Sequence, residues 1–404
     1  GDALPKTITV QRLETTAINS HFSANTASQQ VALDKFLLNF DQSTFKGHAS
    51  VTNFSKPAIR YDFDINSVNI DRYFPPTKKS PSKAPPTANS TTTAAASSAA
   101  EEPLPIPVAL LRTLDIDGSL RLGALQVMNL HTQNMVAKIR AKDGKIDLAP
   151  LSAELYQGKF GGEITIDVRK NIPVIKVKEK LTEVASGPLL KDLLGKDYVT
   201  GKALLNANIT TKGDRISQFK KGLNGTAELR FEDGAVNGID IAQLIRDAYA
   251  AYKKQPAAKS SNKPQTDFAL LSASVKIKNG VVFNKDLSAK SPLLRIAGAG
   301  QADLVSEKID YRVKAGIVNT LEGQGGKSLS DLKGLTIPLI IKGTFSEPKF
   351  SVDLAQLLNE KAKAQIDAAK AKARNRAQEK LNAEKERLKK DLLNKLKSQF
   401  KLPF

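Results

Sequence analysis

The chain has 404 residues, no cysteine, no tryptophan and a formal net charge of +20 at pH 7. The lack of cysteine excludes disulfides, thiol catalysis, zinc ribbons and iron–sulfur sites. Only three histidines, His21, His48 and His131, are present for metal ligation or proton transfer. The composition therefore argues against an enzyme and predicts no cofactor and no metal site.

The first segment, 1–74, has the pattern of β-strands. Apolar and polar residues alternate with a period of two through 31–71, for example at Tyr61, Phe63 and Ile65. No apolar run in the chain reaches the roughly eighteen residues of a membrane span. The sequence opens on Gly1 rather than Met, and we interpret it as a fragment or processed form.

A linker is predicted at 75–107. Twenty-five of these thirty-three residues are Pro, Ala, Ser or Thr. Such a composition buries too little apolar area to offset the entropy of ordering, so the segment is expected to be flexible.

The strand pattern returns over 108–353 and dominates it. Four steps predict tight hairpin turns, because Asp-Gly and Asn-Gly supply positive φ angles. They are Asp117-Gly118, Asp143-Gly144, Asp233-Gly234 and Asn279-Gly280. One helix is predicted from Ile241 to Tyr252 by its helical apolar spacing.

The last segment, 354–404, is predicted to be a long basic amphipathic helix ending near Pro403. Residues 355–404 hold fourteen Lys and Arg against six Asp and Glu. The helix could be solvated or packed on a sheet edge, or it could lie on an anionic membrane surface. The membrane-surface candidates are Lys389, Lys390, Leu392, Leu396 and Phe400. Nucleic-acid binding is not predicted, because no basic patch is interleaved with aromatic residues.

An internal repeat connects the β segments. The apolar and glycine positions from Val31 to Val51 recur, each shifted by 115 residues, from Ile146 to Ile166. A looser third copy begins at Leu287. Repeated strands without intervening helical crossovers predict one long antiparallel sheet.

Such a sheet has an apolar side and few helices to cover it. It must either close into a barrel or sandwich or keep an open apolar groove, and a large exposed apolar surface is typical of a binding site. The groove candidates are Ile146, Leu148, Ile164, Ile166, Val168, Ile175, Val177, Leu205, Ile209, Leu229, Phe231, Val275, Ile277, Leu294, Ile296, Tyr311, Val313, Leu339 and Ile341.

Five segments, in order along the chain, resemble the AsmA family: Leu114–Leu125, Ala141–Gly162, Gly225–Asp240, Ser291–Gly300 and Gly334–Lys349. The resemblance implies a β-groove with an AsmA-like C-terminal region at 108–353. It also implies a periplasmic protein of the Gram-negative envelope, anchored to the inner membrane by an N-terminal helix that this chain lacks.

The fold class expected is mainly β: an elongated, curved antiparallel repeat sheet forming an apolar groove, with a few short helices and a long C-terminal amphipathic helix. The expected function is non-enzymatic: binding phospholipid acyl chains and conducting phospholipid between inner and outer membrane, which supports outer-membrane lipid homeostasis. The alternative is a scaffold for outer-membrane protein assembly that acts through envelope protein partners, for instance by strand addition at a sheet edge. Expected partners are thus lipid, membrane and envelope proteins, and no nucleic acid.

Overall fold

The computed structural model describes residues 15–25, 27, 29–73, 107–252, 254–256, 263–318, 336–353, 366–367, 369–387 and 389. Seventeen β-strands make up most of this part of the chain. The strands are β1 (Thr15–Asn25), β2 (Gln30–Phe40), β3 (Ser43–Thr52), β4 (Ala58–Asn69), β5 (Asp115–Val127), β6 (Leu130–Lys142), β7 (Lys145–Leu155), β8 (Gly158–Asp167), β9 (Val174–Ala185), β10 (Lys202–Lys212), β11 (Asn224–Asn237), β12 (Gln265–Lys278), β13 (Val281–Lys290), β14 (Leu294–Asp303), β15 (Lys308–Ile317), β16 (Thr336–Thr344) and β17 (Pro348–Val352).

Helices are short and lie between strands. They are α1 (Val108–Thr113), α2 (Ser186–Leu194), α3 (Ile216–Gly222) and α4 (Ile241–Tyr252), with one 3₁₀ turn at Ile70–Arg72. The predicted helix from Ile241 to Tyr252 is confirmed residue for residue. A further helix, α5, covers 369–387 within the predicted C-terminal helix, and every described residue of it is exposed. The rest of 354–404 lies largely outside the described residues.

All seventeen strands form a single sheet in which each strand pairs with the next one in sequence. Among the described residues, β1 and β17 do not pair with each other, so the sheet is open rather than a closed barrel. The predicted mainly β, antiparallel repeat sheet is therefore confirmed.

One strand pair departs from the antiparallel pattern. β4 and β5 run parallel, with Ala58 opposite Asp115 and Asn69 opposite Gln126. Parallel neighbours need a crossover of a dozen or more residues, whereas antiparallel ones need only a tight turn. The predicted linker at 75–107 lies in this connection, and nearly all of it falls outside the described residues.

Two of the four predicted turns are correct and two are wrong. Asp143-Gly144 and Asn279-Gly280 join consecutive strands, and all four residues have positive φ angles. Gly118 instead lies inside β5, opposite Tyr61. A Cβ on it would be 2.4 Å from the Tyr61 ring, so this glycine makes room for an aromatic neighbour rather than for a turn. Asp233-Gly234 lies inside β11, where Asp233 has a positive φ angle but the chain does not reverse direction.

The sequence repeat has a structural counterpart, a β-bulge that recurs in all three copies. The pairing register shifts between Leu33 and Phe36, between Leu148 and Leu151, and between Asn284 and Leu287. In each copy a glycine pairs with the first residue after the bulge. These glycines are Gly47, Gly162 and Gly298. Each repeat is therefore the same bulged hairpin.

Replacing Gly162 with alanine should destabilise the protein by about 1–3 kcal/mol, as overpacking does. A Cβ there would lie 2.7 Å from the carbonyl oxygen of Lys178 and 3.2 Å from the Phe160 ring. Its neighbour Gly161 is the matched control, because a Cβ on it meets nothing within 4 Å. Thermal unfolding followed by circular dichroism should show a loss for Gly162→Ala only. Equal losses for both variants would contradict the packing argument.

Two buried clusters hold helices against the sheet. In the larger one, Ile241, Ala242 and Ile245 of α4 pack on residues of β13 to β16 such as Leu294 and Ile337. In the smaller one, Val108 and Leu111 of α1 pack on Ala141, Ile146 and Val168. The helices thus cover parts of one side of the sheet.

Candidate functional site

All nineteen predicted groove residues lie on one face of the sheet, because the strands pair with their apolar positions in register. In one row, Ile166 pairs with Ile146 on β7 and with Ile175 on β9. The adjacent row contains Leu148, Ile164, Val177 and Ile209, from β7 to β10. We call the side that carries the nineteen residues and their register partners the apolar face.

The opposite face is polar and charged. Ion pairs lie along it, such as Lys178 with Glu163 at 3.3 Å and Arg230 with Glu232 at 2.7 Å. These side chains are substantially exposed, and exposed ion pairs add little stability. The two faces therefore differ in chemistry along the length of the sheet, as expected from a period-two pattern.

Burial varies along the apolar face. Seven of the candidates are buried: Ile146, Val168, Ile277, Leu294, Ile296, Val313 and Leu339. The other twelve keep part of their side-chain surface accessible. The buried ones belong largely to the α1 and α4 clusters, with Ile277 an exception. Sequence reasoning treated the face as uncovered, whereas α4 covers it over β13 to β16.

A cleft of about 720 Å³ opens on the apolar face at the first turn of α4. Three of the candidates, Ile296, Val313 and Ile341, line it together with Lys196 and Lys263. Much of the remaining lining is apolar and includes Phe268, Leu271, Leu287 and Phe350. Its volume is within the range of small-molecule sites, and its chemistry suits a hydrocarbon chain with an anionic end near the lysines.

Polar atoms on this face are few, and Tyr311 shows how one is accommodated. Its hydroxyl donates a hydrogen bond to Oδ1 of Asn284, a buried residue on β13. Burial, together with the charge of Asp286, raises the pKa of Tyr311 to about 12. The phenol therefore stays neutral at physiological pH, and its ring belongs to the apolar surface.

Sequence reasoning missed two features of the apolar face. The first is an aromatic cluster on β2 and β4, in which the Phe63 ring lies 5.9 Å from Phe36 and 5.4 Å from Tyr61. Their alternation was used only to predict strands, and it could have placed them on this face.

The second missed feature is a carboxyl group. Glu179 on β9 pairs with Gly162 and Ala207, which both belong to the apolar face. Burial raises the pKa of Glu179. The signal in the sequence was a charged residue at an apolar position of the alternation Ile175, Val177, Glu179, Leu181.

The membrane-surface candidates lie almost entirely outside the described residues. Only Lys389 is described; it is exposed, and its Nζ is 3.5 Å from a Glu386 carboxylate oxygen. In the described part of the chain, no helix is long and apolar enough to cross a membrane. The same residues contain no group of three or more His, Asp or Glu positioned to hold a metal ion.

Comparison with known proteins identifies a family and a relative of this chain. The family model described as the AsmA family matches residues 2–287. Protein AsmA of Escherichia coli (strain K12) is 23% identical over 340 residues, which cover 82% of this chain and 54% of that protein. The chain thus spans about half the length of this curated relative. No solved structure matches significantly. With the family model matching well over half of its residues, the chain belongs to the AsmA family.

Proposed function

We propose that this chain binds phospholipid acyl chains on its apolar face and, within the full-length protein, conducts phospholipid between the inner and outer membranes. The observation that carries the proposal is the continuity of the apolar face across the sheet, with twelve of the nineteen candidates partly accessible. An exposed apolar surface of this extent is costly in water unless something binds to it.

The mechanism is partition of hydrocarbon between water and protein. Each methylene removed from water is worth about 0.8 kcal/mol, so an acyl chain lying along the face avoids most of the cost of leaving a bilayer. The headgroup stays in solvent beyond the edge of the face, and the chain's net charge of +20 suits anionic phosphate. No nucleotide, metal or catalytic group takes part in this step.

The cellular setting is part of the proposal. AsmA-family membership supports an envelope role that maintains outer-membrane lipid, with the body in the periplasm and an inner-membrane anchor in the full-length protein. The C-terminal segment that contains the candidates Lys389, Lys390, Leu392, Leu396 and Phe400 is proposed to contact an anionic membrane surface.

A photo-crosslinking experiment tests lipid binding directly. A photoreactive amino acid replaces Ile209 on the apolar face or Asn208, the next residue on the opposite face. With vesicles of phosphatidylethanolamine and phosphatidylglycerol at about pH 5, close to the ordinary pKa of a glutamate carboxyl, we expect lipid adducts at position 209 and few at 208. Mass spectrometry of the purified protein should also find bound phospholipid. Equal crosslinking at both positions, or none at 209, would overturn the proposal.

A second candidate function, scaffolding of outer-membrane protein assembly, is favoured by the open sheet. Within the described residues, β1 and β17 each have a single strand neighbour, so each offers a free edge. An extended segment of a partner could pair with such an edge. Partner binding that survives a block of the apolar face, with no lipid adducts, would favour this function.

A further inference from the structure

Glu179 is an exception on the apolar face. Its own strand, β9, presents Val177 and Leu181 beside it on the same face, and its register partners are Gly162 and Ala207. Of the acidic residues in the described strands, no other is paired on both sides with residues of the apolar face.

Among the described strands, the residues that flank this carboxyl on the apolar face are uncharged. The residues diagonal to it on the neighbouring strands are Phe160, Ile164, Leu205 and Ile209. The nearby charges, Lys178, Lys180 and Glu163, alternate to the opposite face, where Lys178 pairs with Glu163. Burial alone raises the pKa of Glu179, and neither a hydrogen bond nor an opposite charge from the described residues lowers it.

Small residues surround Glu179 along the pairing direction. The row runs from Gly162 through Glu179 and Ala207 to Ala227, and we call these four residues the Glu179 row. Gly162, Ala207 and Ala227 offer little side-chain bulk to hold hydrocarbon away from the carboxyl. An acyl chain lying across this row therefore contacts the carboxyl and removes water from it.

The protonation state of the carboxyl decides the outcome of that contact. Removing water from an ionised carboxylate without a partner is far more costly than removing it from the neutral acid. The acyl chain therefore binds when the Glu179 carboxyl is protonated. Its binding is strongest below the pKa of Glu179 and weakens as the pH rises through that pKa.

We propose that Glu179 is a specificity-determining residue of the apolar face, which admits an acyl chain to the Glu179 row only while its carboxyl is protonated. The inference rests on the proposed lipid function and adds a point of control to it. Glutamine has nearly the same shape as glutamate and carries no charge, so the Glu179→Gln protein admits an acyl chain to the row at every pH.

The test uses the full chain with a photoreactive amino acid at Leu205, which is diagonal to Glu179 and partly exposed. Crosslinking to phosphatidylethanolamine and phosphatidylglycerol vesicles is measured between about pH 5 and about pH 9 in the parent, in Glu179→Gln and in Glu163→Gln. Well above its pKa, the protonated fraction of an acid falls about tenfold per pH unit. We therefore expect crosslinking to fall steeply with pH in the parent and in Glu163→Gln, and to stay constant in Glu179→Gln.

The control and a second probe make the outcomes separable. Glu163 lies on the opposite face of β8, so its variant removes a nearby negative charge without touching the apolar face. A pH profile that is the same in Glu179→Gln as in the parent overturns the inference, as does an equal effect of Glu163→Gln.

A second photoreactive probe at Ile341, remote on β16, monitors lipid binding itself. Absence of adducts at both probes overturns the proposed function, whereas adducts at Ile341 with an unchanged profile at Leu205 overturn only the role of Glu179.

Discussion

Ile166→Asp should reduce acyl-chain crosslinking to the apolar face by about tenfold or more, since about 1.4 kcal/mol corresponds to a factor of ten. The side chain stands between Ile146 and Ile175 in the middle of a row of isoleucines. A carboxylate there would have to give up water whenever a lipid chain lies over it.

Ile172→Asp is the matched control for this variant. It makes the same chemical change at a residue that lies between β8 and β9 and is 53% exposed. Crosslinking through a probe at Ile209 should stay at the parent level in the control. Because Ile166 also packs against the α1 cluster, thermal unfolding of both variants should be recorded. A folded Ile166→Asp protein with undiminished crosslinking would show that lipid does not use this face.

Ile245→Ala should lower the free energy of unfolding by about 2–5 kcal/mol, the usual range for deleting a large buried aliphatic side chain. Ile245 is 2% exposed and belongs to the part of α4 that packs on β13 to β16. Its loss leaves a cavity between the helix and the sheet. Amide hydrogen exchange should then accelerate in α4 and in the strands beneath it.

Leu193→Ala on α2 is the control for that helix–sheet contact, because Leu193 is 47% exposed. Its effect should stay within about 0.5 kcal/mol, as for most surface substitutions. Similar losses in both variants, or unchanged exchange in β13 to β16 for Ile245→Ala, would show that α4 is not anchored there. In that case the cleft beside α4 would not be a fixed feature of the apolar face.

α4 divides the apolar face into a covered part and an accessible part, and lipid is expected to bind on the accessible part. Over β13 to β16 the helix and the sheet bury each other, whereas over β8 to β12 most of the candidates remain accessible. The accessible stretch is also where Glu179 lies. While the Glu179 carboxyl is protonated, lipid adducts should therefore be most abundant at probes such as Leu205 and Ile209.

The repeated bulge shows how much of the strand-pairing register can be predicted from the sequence. Leu33 and Leu148 are separated by 115 residues, and both are followed by a bulge with a glycine across from it. Aligning the sequence with itself locates the repeat but does not show that each copy contains a β-bulge. In the sequence, an unpaired residue is visible only as a break in the alternation of apolar and polar residues. The same limit explains Gly118, where an Asp-Gly step typical of a hairpin lies inside a strand against the Tyr61 ring.

The sequence by itself determined which side chains share a face, because side chains alternate across a strand with a period of two and the nineteen candidates keep that period. It also determined the strand-rich class, the helix from Ile241 to Tyr252 and two of the hairpin turns. Only the tertiary structure decided the parallel pairing of β4 with β5, the cover that α4 gives to β13 to β16, and the isolation of Glu179 among apolar neighbours. Those three depend on which segments meet in the fold; local alternation can place Glu179 on the apolar face but does not show which residues lie beside it.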